Sequence, residues 1–315
     1  MYGAFIVFAI ISAVLILFFT ALYICYRITF FVPKKEKVRP EYELPPGEIY
    51  RPFHGAMLHW MREAKTFKQE KLQITAKDGY KLSGIYYEHF KGAPIEIMFH
   101  GYRGSAERDL CGGIQRCHAL KRNAIVVDQR GHGESDGQVI SFGIKERYDV
   151  KSWADYAYER FGDKVPLIIT GISMGASTVL MASSLDLPKT VVGAVADCGY
   201  NDCKEIIVSI IKKMGLSPKI FYPLVRFSGK LFGGFDVEET SPEKEVKNAK
   251  IPIIFMHGKA DTFVPCYMSE RNYDACASKK AIEIFDCADH GMSYLVEPNR
   301  YVKALEEFEK NHMQL

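Results

Sequence analysis

The chain has 315 residues, 48% of them hydrophobic and 25% charged, a globular composition rather than a disordered or fibrous one. The formal net charge of +3 comes with no basic run interleaved with aromatics, which argues against a nucleic-acid partner. Eight cysteines (Cys25, Cys111, Cys117, Cys198, Cys203, Cys266, Cys276 and Cys287) form no C-x-x-C pair. That excludes zinc-ribbon and thioredoxin-like sites, and at this dilution mostly free, buried thiols are expected.

Residues 4–24, "AFIVFAIISAVLILFFTALYI", carry no charge and only Ser12 and Thr20 as polar side chains. At 1.5 Å per residue this run matches a hydrocarbon core of about 30 Å. No basic residue precedes it and "TALYICY" lacks a small-x-small cleavage site, so the run reads as a retained membrane anchor rather than a signal peptide. It is apolar on every face, unlike a core helix of a globular domain. Arg27, Lys34, Lys35, Lys37 and Arg39 follow it, and the positive-inside rule then puts the rest of the chain on the cytoplasmic side.

Residues 32–51, "VPKKEKVRPEYELPPGEIYR", are charged and Pro-rich, a juxtamembrane linker, and 55–68 suit a short helix. The following "LQITAKDGYKLSGIYYEHF" alternates apolar residues around Asp78-Gly79, a hairpin that opens an antiparallel edge. Short apolar runs at 95–99, 124–127, 167–170, 191–196, 251–256 and 281–285 then alternate with helical patterns at 107–121, 145–161, 174–185, 268–277 and 298–312. Strands without internal alternation, separated by helices, predict a parallel sheet buried on both faces, with ligands beyond the strands' carboxyl ends.

One interval breaks the rhythm. Residues 204–214 and 218–232 are two helix-like pieces where one crossover would do. Ile220, Phe221, Tyr222, Leu224, Val225, Phe227, Leu231 and Phe232 exceed what a surface helix needs. A cap over the strand ends is expected at about 200–247. The organisation is thus an anchor over 1–31, a linker and short helix over 32–70, and an α/β domain over 71–315 that contains the insertion.

Residues 168–181 read "IITGISMGASTVLM". Ser173 follows a strand directly, precedes a helix directly, and is flanked by Gly171 and Gly175, which relieve crowding at a strained turn. A serine hydroxyl needs a base to take its proton and an acid to orient the base, in the chain order Ser, acid, His for this topology. His290, in "CADHGMS" after the 281–285 strand, is the candidate base. His257 directly follows its strand and is expected to shape the turn, and His312 lies in the polar tail. Asp261, just past the 251–256 strand, is the candidate acid, with Asp197 at the end of the preceding strand as its rival. Asp286 and Asp289 suit turn capping.

An oxyanion needs two N–H donors, each worth about 3–4 kcal/mol. The Met174 amide is one candidate. The Tyr102 amide is the other, in "HGYRGSAERD", where His100 and Gly101 turn the chain and His100 serves as a structural hydrogen bonder. The loop "DQRGHGESDG" has neither the spacing nor the Lys of a phosphate loop, so Arg130, His132 and Ser135 are expected to brace the site. No H-E-x-x-H or comparable cluster calls for a metal, and no cofactor is expected.

Together "HGYRGS", "DQRGHGES", "GISMG", "HGKADTFVP" and "DHGMS" resemble the α/β-hydrolase superfamily. Within it the chain is similar to the serine hydrolase branch of monoacylglycerol lipases, serine aminopeptidase-like proteins and bacterial membrane-anchored esterases. The resemblance implies a mostly parallel eight-stranded sheet with helices on both faces. It also implies Ser173 as nucleophile, Asp261 as acid, His290 as base, and the Tyr102 and Met174 amides as oxyanion hole. The expected activity is cleavage of lipophilic acyl esters, from a small molecule or a lipid, by a membrane-anchored serine hydrolase. A serine peptidase or amidase of the same fold is the alternative, and an inactive membrane-tethered binding protein the remote one.

Overall fold

The computed structural model describes residues 2–33 and 40–313, so Lys34, Lys35, Lys37 and Arg39 of the topology argument lie outside the described residues. The hairpin forms as β1 (Gln69–Thr75) and β2 (Lys81–Tyr87), with β1 burying only Leu72 and Ile74 as an edge strand should. β3 (Ile95–Phe99) and β4 (Asn123–Val127) are buried at every position, Glu96 and Asn123 included, which explains their mostly apolar sequences. β5 (Leu167–Ile172), β6 (Val191–Asp197), β7 (Ile253–Gly258) and β8 (Lys280–Phe285) complete an eight-stranded sheet in the order β1-β2-β4-β3-β5-β6-β7-β8. β1 and β2 are antiparallel to their neighbours and all other pairs are parallel.

Helix α1 (Tyr2–Thr29) is followed by α2 (His54–Ala64), α3 (Ala106–Ala119), α4 (Glu146–Phe161) and α5 (Met174–Ala182). Then come α6 (Cys203–Lys213), α7 (Pro218–Ser228), α8 (Pro242–Glu245), α9 (Tyr267–Ala275), α10 (Ser293–Val296) and α11 (Pro298–His312). Trp153 of α4 and Val179 and Leu180 of α5 pack with Ile97, Phe99, Ile169 and Phe255 on one face of the sheet. Leu110, Ile114 and Cys117 of α3 meet Met98 and Val126 on the other face, where Tyr301, Leu305 and Phe308 of α11 cover Ile168, Val195 and Ile254. Each such fully buried side chain contributes about 1.5–3 kcal/mol. His312, expected to be solvated in the tail, instead packs half-buried with its ring centroid 5.0 Å from that of Phe308.

Helix α1 is long and apolar enough to cross a membrane. Its last turns are not bare: Leu22, Tyr26 and Phe30 are buried, and Phe30 meets Phe235 at 5.1 Å and Phe142 at 5.8 Å between ring centroids. Tyr222 and Val225 of α7 join that cluster, and Phe232, in the turn after α7, lies 5.5 Å from both Tyr23 and Tyr26. The apolar excess of the insertion is therefore matched to the end of the anchor-like helix.

Residues 40–64, read as linker and short helix, do more than connect. Helix α2 buries Met57, Met61 and Ala64, the i, i+4, i+7 stripe of one helix face, Met57 and Met61 with Cys111 of α3 and Ala64 with Leu110 and Ile114 of the same helix. Trp60 stacks beside Tyr294 at 5.7 Å.

Candidate active site

Ser173 has φ +56° and ψ −119°, a conformation that costs a non-glycine residue of order 1–3 kcal/mol. Its neighbours leave room for the turn: a Cβ on Gly171 would lie 2.1 Å from the Gly175 carbonyl oxygen, and one on Gly175 would lie 2.0 Å from that of Phe99. Ser173 N–H donates to the Asp197 carbonyl at 2.8 Å, tying the turn to β6.

Three side chains from three strand ends converge. His290 Nε2 lies 2.8 Å from Ser173 Oγ, and His290 Nδ1 lies 2.7 Å from Asp261 Oδ2. A carboxylate only accepts, so Nδ1 carries the proton and Nε2 is left to accept from the serine hydroxyl. Asp261 Oδ1 also accepts from the amides of Phe263 (2.8 Å) and Val264 (2.7 Å). Burial would raise the Asp261 carboxyl, but hydrogen bonds and charge from His257 and His290 outweigh it and hold it below the usual range. It is an anion in a fixed place.

His257 sits inside β7 rather than after it, because the strand runs on to Gly258. There it is buried, with Nε2 2.9 Å from the Val264 carbonyl and 3.3 Å from Asp261 Oδ2, and Nδ1 2.7 Å from Ser269 Oγ. It fixes the Asp261 turn. Asp197 faces away from His290 and accepts from Ser293 Oγ at 3.1 Å. Asp289 caps the turn of His290, accepting at 2.7 Å from the His290 amide and at 2.8 Å from that of Thr262. Asp286 pairs with Lys259 at the surface.

The loop after β3 comes close to the serine: a Cβ on Gly101 would sit 3.4 Å from Ser173 Cβ. His100 is buried, its Nδ1–H donating to the Gly101 carbonyl (2.8 Å) and its Nε2 accepting from the Gln129 amide (3.1 Å). Met174 opens α5, where a helix's first N–H groups have no intrahelical partner. The loop around Arg130 is itself braced, by a two-pronged Arg130–Asp149 pair at 2.7 and 2.6 Å and by Ser135 Oγ donating to the Asp128 carbonyl at 2.5 Å.

Three supports were not foreseen from sequence. Asp109 accepts from the Gly101 amide at 3.1 Å. Tyr50 donates to the His290 carbonyl at 2.9 Å. Arg103, at φ +51°, donates to the carbonyls of Ile28 (3.1 Å) and Phe31 (2.9 Å), while the Tyr102 hydroxyl donates to that of Thr29 (2.8 Å). The loop following β3 thus caps the end of α1.

Ser173 and His290 open into a cavity of about 490 Å³. Its lining comes largely from Met98, Leu110, Ile172, Tyr294 and Leu295, roofed by Pro45, Ile49, Tyr50, Met57 and Trp60. No residue between 200 and 247 lines it, so the expected cap flanks the site without covering it. The reason is that the insertion's apolar face is taken up by α1. Cys198 Sγ, an Asp261 oxygen and a His290 nitrogen lie within 4.8 Å of one another. They do not suit a metal, because Asp261 and His290 bond to each other and burial keeps the Cys198 thiol protonated.

With eight strands in this order and the serine at this turn, the molecule has the α/β-hydrolase fold. It superposes on the Pyrococcus furiosus esterase Pf2001 with a TM-score of 0.64 at 24% identity, covering 80% of this chain and 94% of that one. It also superposes on a Pyrococcus horikoshii acylaminoacyl peptidase (TM-score 0.56, 18% identity, 80% and 43% covered). Residues 97–234 match the family model described as serine aminopeptidase, S33. The uncharacterized protein YqkD of Bacillus subtilis is 28% identical over 76% of this chain and 78% of its own length. Protein bem46 of Schizosaccharomyces pombe is 21% identical over 67% of each chain. The chain thus shares the α/β-hydrolase fold, its residues 97–234 are similar to the serine aminopeptidase family, and esterases and peptidases alike are among its structural neighbours.

Proposed function

We propose that the protein is a membrane-anchored serine hydrolase that cleaves carboxylic esters of lipophilic acyl groups through an acyl-enzyme. The observation that carries this reading is the Ser173–His290–Asp261 relay, at 2.8 and 2.7 Å, opening into a largely apolar cavity. Ser173 Oγ attacks the acyl carbonyl as His290 Nε2 takes its proton. Asp261 holds the ring and stabilises the imidazolium. The Tyr102 and Met174 amides receive the oxyanion, and His290 returns the proton to the leaving alcohol. Water, activated by the same histidine, then releases the acid.

An ester is favoured over a peptide by the state of the insertion's acidic residues, any of which could have held a substrate amino group. Glu205 and Glu243 pair with Arg271, Asp236 with Arg226 and Lys230, Glu238 with Lys204 and Arg226, and Glu239 and Glu245 with Arg147. None lines the cavity.

A panel of matched esters and amides of graded chain length tests the reading. Esters of medium and long acyl chains are expected to react fastest, and faster turnover of amides would transfer the assignment to peptidases. The anchor reading, with the domain on the cytoplasmic side, is tested at the exposed Cys287 with a membrane-impermeant maleimide. Labelling only after cells are opened is expected; labelling of intact cells would reverse the topology.

A further inference from the structure

The cavity does not end as it begins. On β5 the side chains of Thr170 and Ile172 share a face, and in register they lie beside Met98 of β3 and Asp197 of β6, under α3 and α11. Met98, Thr170, Ile172 and Asp197 all line the cavity, as do Arg116 and Tyr301. Its inner end is therefore polar, while the walls nearer Ser173 are apolar.

That end holds a buried arginine donor that the fold leaves unpaired among the described residues, beside a buried carboxyl. Arg116 is 4% exposed, pairs through its terminal nitrogen with Glu96 and lies against the Tyr294 and Tyr301 rings at 5.8 and 5.3 Å. Among the described residues its Nε–H has no partner, and the Thr170 hydroxyl lies beside the Glu96 carboxylate, which its hydrogen bonding helps to hold low. Asp197 is 6% exposed and takes no part in the proposed relay. A plain alkyl chain would leave the Arg116 Nε–H buried and unpaired, which is unfavourable. A carboxylate would meet Asp197 with no spare cation, because Arg116 and Arg122 are already matched by Glu96 and Glu309. A neutral hydroxyl can accept from Arg116 Nε–H and donate to Asp197, with Thr170 as a further partner.

We propose that the inner end of the cavity is a subsite, formed by Arg116, Thr170 and Asp197, for a hydroxyl group on the buried chain of the substrate. Thr170 precedes Ser173 by three residues at ~3.3 Å each, so the hydroxyl sits roughly 10 Å from the reacting carbonyl. This rests on the reading of Ser173 as nucleophile and names the substrate class more narrowly than that reading does.

The test compares kcat/KM for two matched series of graded length: p-nitrophenyl alkanoates against their terminally hydroxylated counterparts, and acetate esters of alkanols against those of diols. At one chain length the hydroxylated member is expected to be preferred roughly tenfold or more. The series that shows the preference identifies whether the acyl or the alcohol portion enters the cavity. Thr170→Val, which keeps the shape and removes the hydroxyl, and Asp197→Asn are each expected to reduce the preference while plain esters are still cleaved. Equal kcat/KM for both members at every length in both series overturns the subsite, as does a preference that neither variant changes. If no ester is cleaved and a fluorophosphonate leaves Ser173 unmodified, the catalytic reading fails along with it.

Discussion

The insertion over 200–247 and the stretch over 40–64 both carry apolar residues to the edge of the sheet where Ser173, Asp261 and His290 meet. Only the second lines the cavity. The insertion has the greater apolar excess, yet Tyr222, Val225, Phe232 and Phe235 spend it on the last turns of α1. The Pro-rich stretch has the smaller excess, and places Met57 and Trp60 over the site while Tyr50 holds the His290 carbonyl. An apolar surplus therefore shows that a segment needs cover, and leaves open what provides it. Here the end of α1 covers the insertion, and residues 40–64 cover the cavity.

The largest expected effect sits beneath both covers and sets the baseline for comparing them. Asp261→Asn should lower kcat by roughly three to four orders of magnitude with the fold intact, because an amide cannot hold the tautomer or stabilise the imidazolium. The loss should be the same for short and long esters; a loss confined to long ones would shift the effect from chemistry to the roof.

Next in size is a stability effect at the inner end of the cavity. Burial raises the Asp197 carboxyl to about 6 from an ordinary 3.8, against the opposing pull of His257, Ser293, Tyr301 and Arg116. The folded state then holds that proton more tightly than the unfolded state, so this group lowers stability as pH rises from about 4 to 6 and keeps it lowered above. Asp197→Asn should stabilise by about 3 kcal/mol at pH 8 and by little near pH 4, read from thermal unfolding in detergent. An equal gain at both values would rule out the buried charge as the cause.

The roof and the insertion can then be set against each other directly. Trp60→Ala should raise KM for long-chain esters by about tenfold, roughly 1.4 kcal/mol, and leave acetate esters unchanged. Leu231→Ala, on the exposed part of the insertion, should alter neither kcat nor KM. If the two variants exchanged effects, the division between covers would be wrong. The smallest effect is expected for Arg103→Ala, which frees the loop after β3 from the α1 carbonyls. A several-fold drop in kcat at constant KM, partly restored by Arg103→Lys, would show that the end of α1 helps position the Tyr102 amide.

Much of the frame was legible from residues alone. The short, mostly apolar runs of β3 to β7, lacking alternation and separated by helical patterns, pointed to strands buried on both faces, and Gly171 and Gly175 marked a turn too tight for side chains. Ser173, Asp261 and His290 each followed a strand, so topology brought them to one edge. The rest was hidden because its partners are distant in sequence. Met57 and Met61 find Cys111, Arg103 finds Ile28 and Phe31, and Tyr50 finds His290 only after the chain has folded. His257 was misplaced by one structural step, since nothing in "FMHGKAD" shows that β7 continues to Gly258. The roof was missed because prolines and charges read as a linker, and three buried positions on the 11-residue α2 are too short a signal to contradict them.

The central claim is that Ser173 is the activated nucleophile of this cavity. Its most direct measurement is the site of adduct formation when membranes carrying the full-length protein are treated with a fluorophosphonate and the modified peptide is mapped by mass spectrometry. The expected result is one adduct on Ser173 in the wild type, none in Ser173→Ala and greatly slowed labelling in His290→Ala. An adduct on another residue, or the same labelling with and without Ser173, would contradict it.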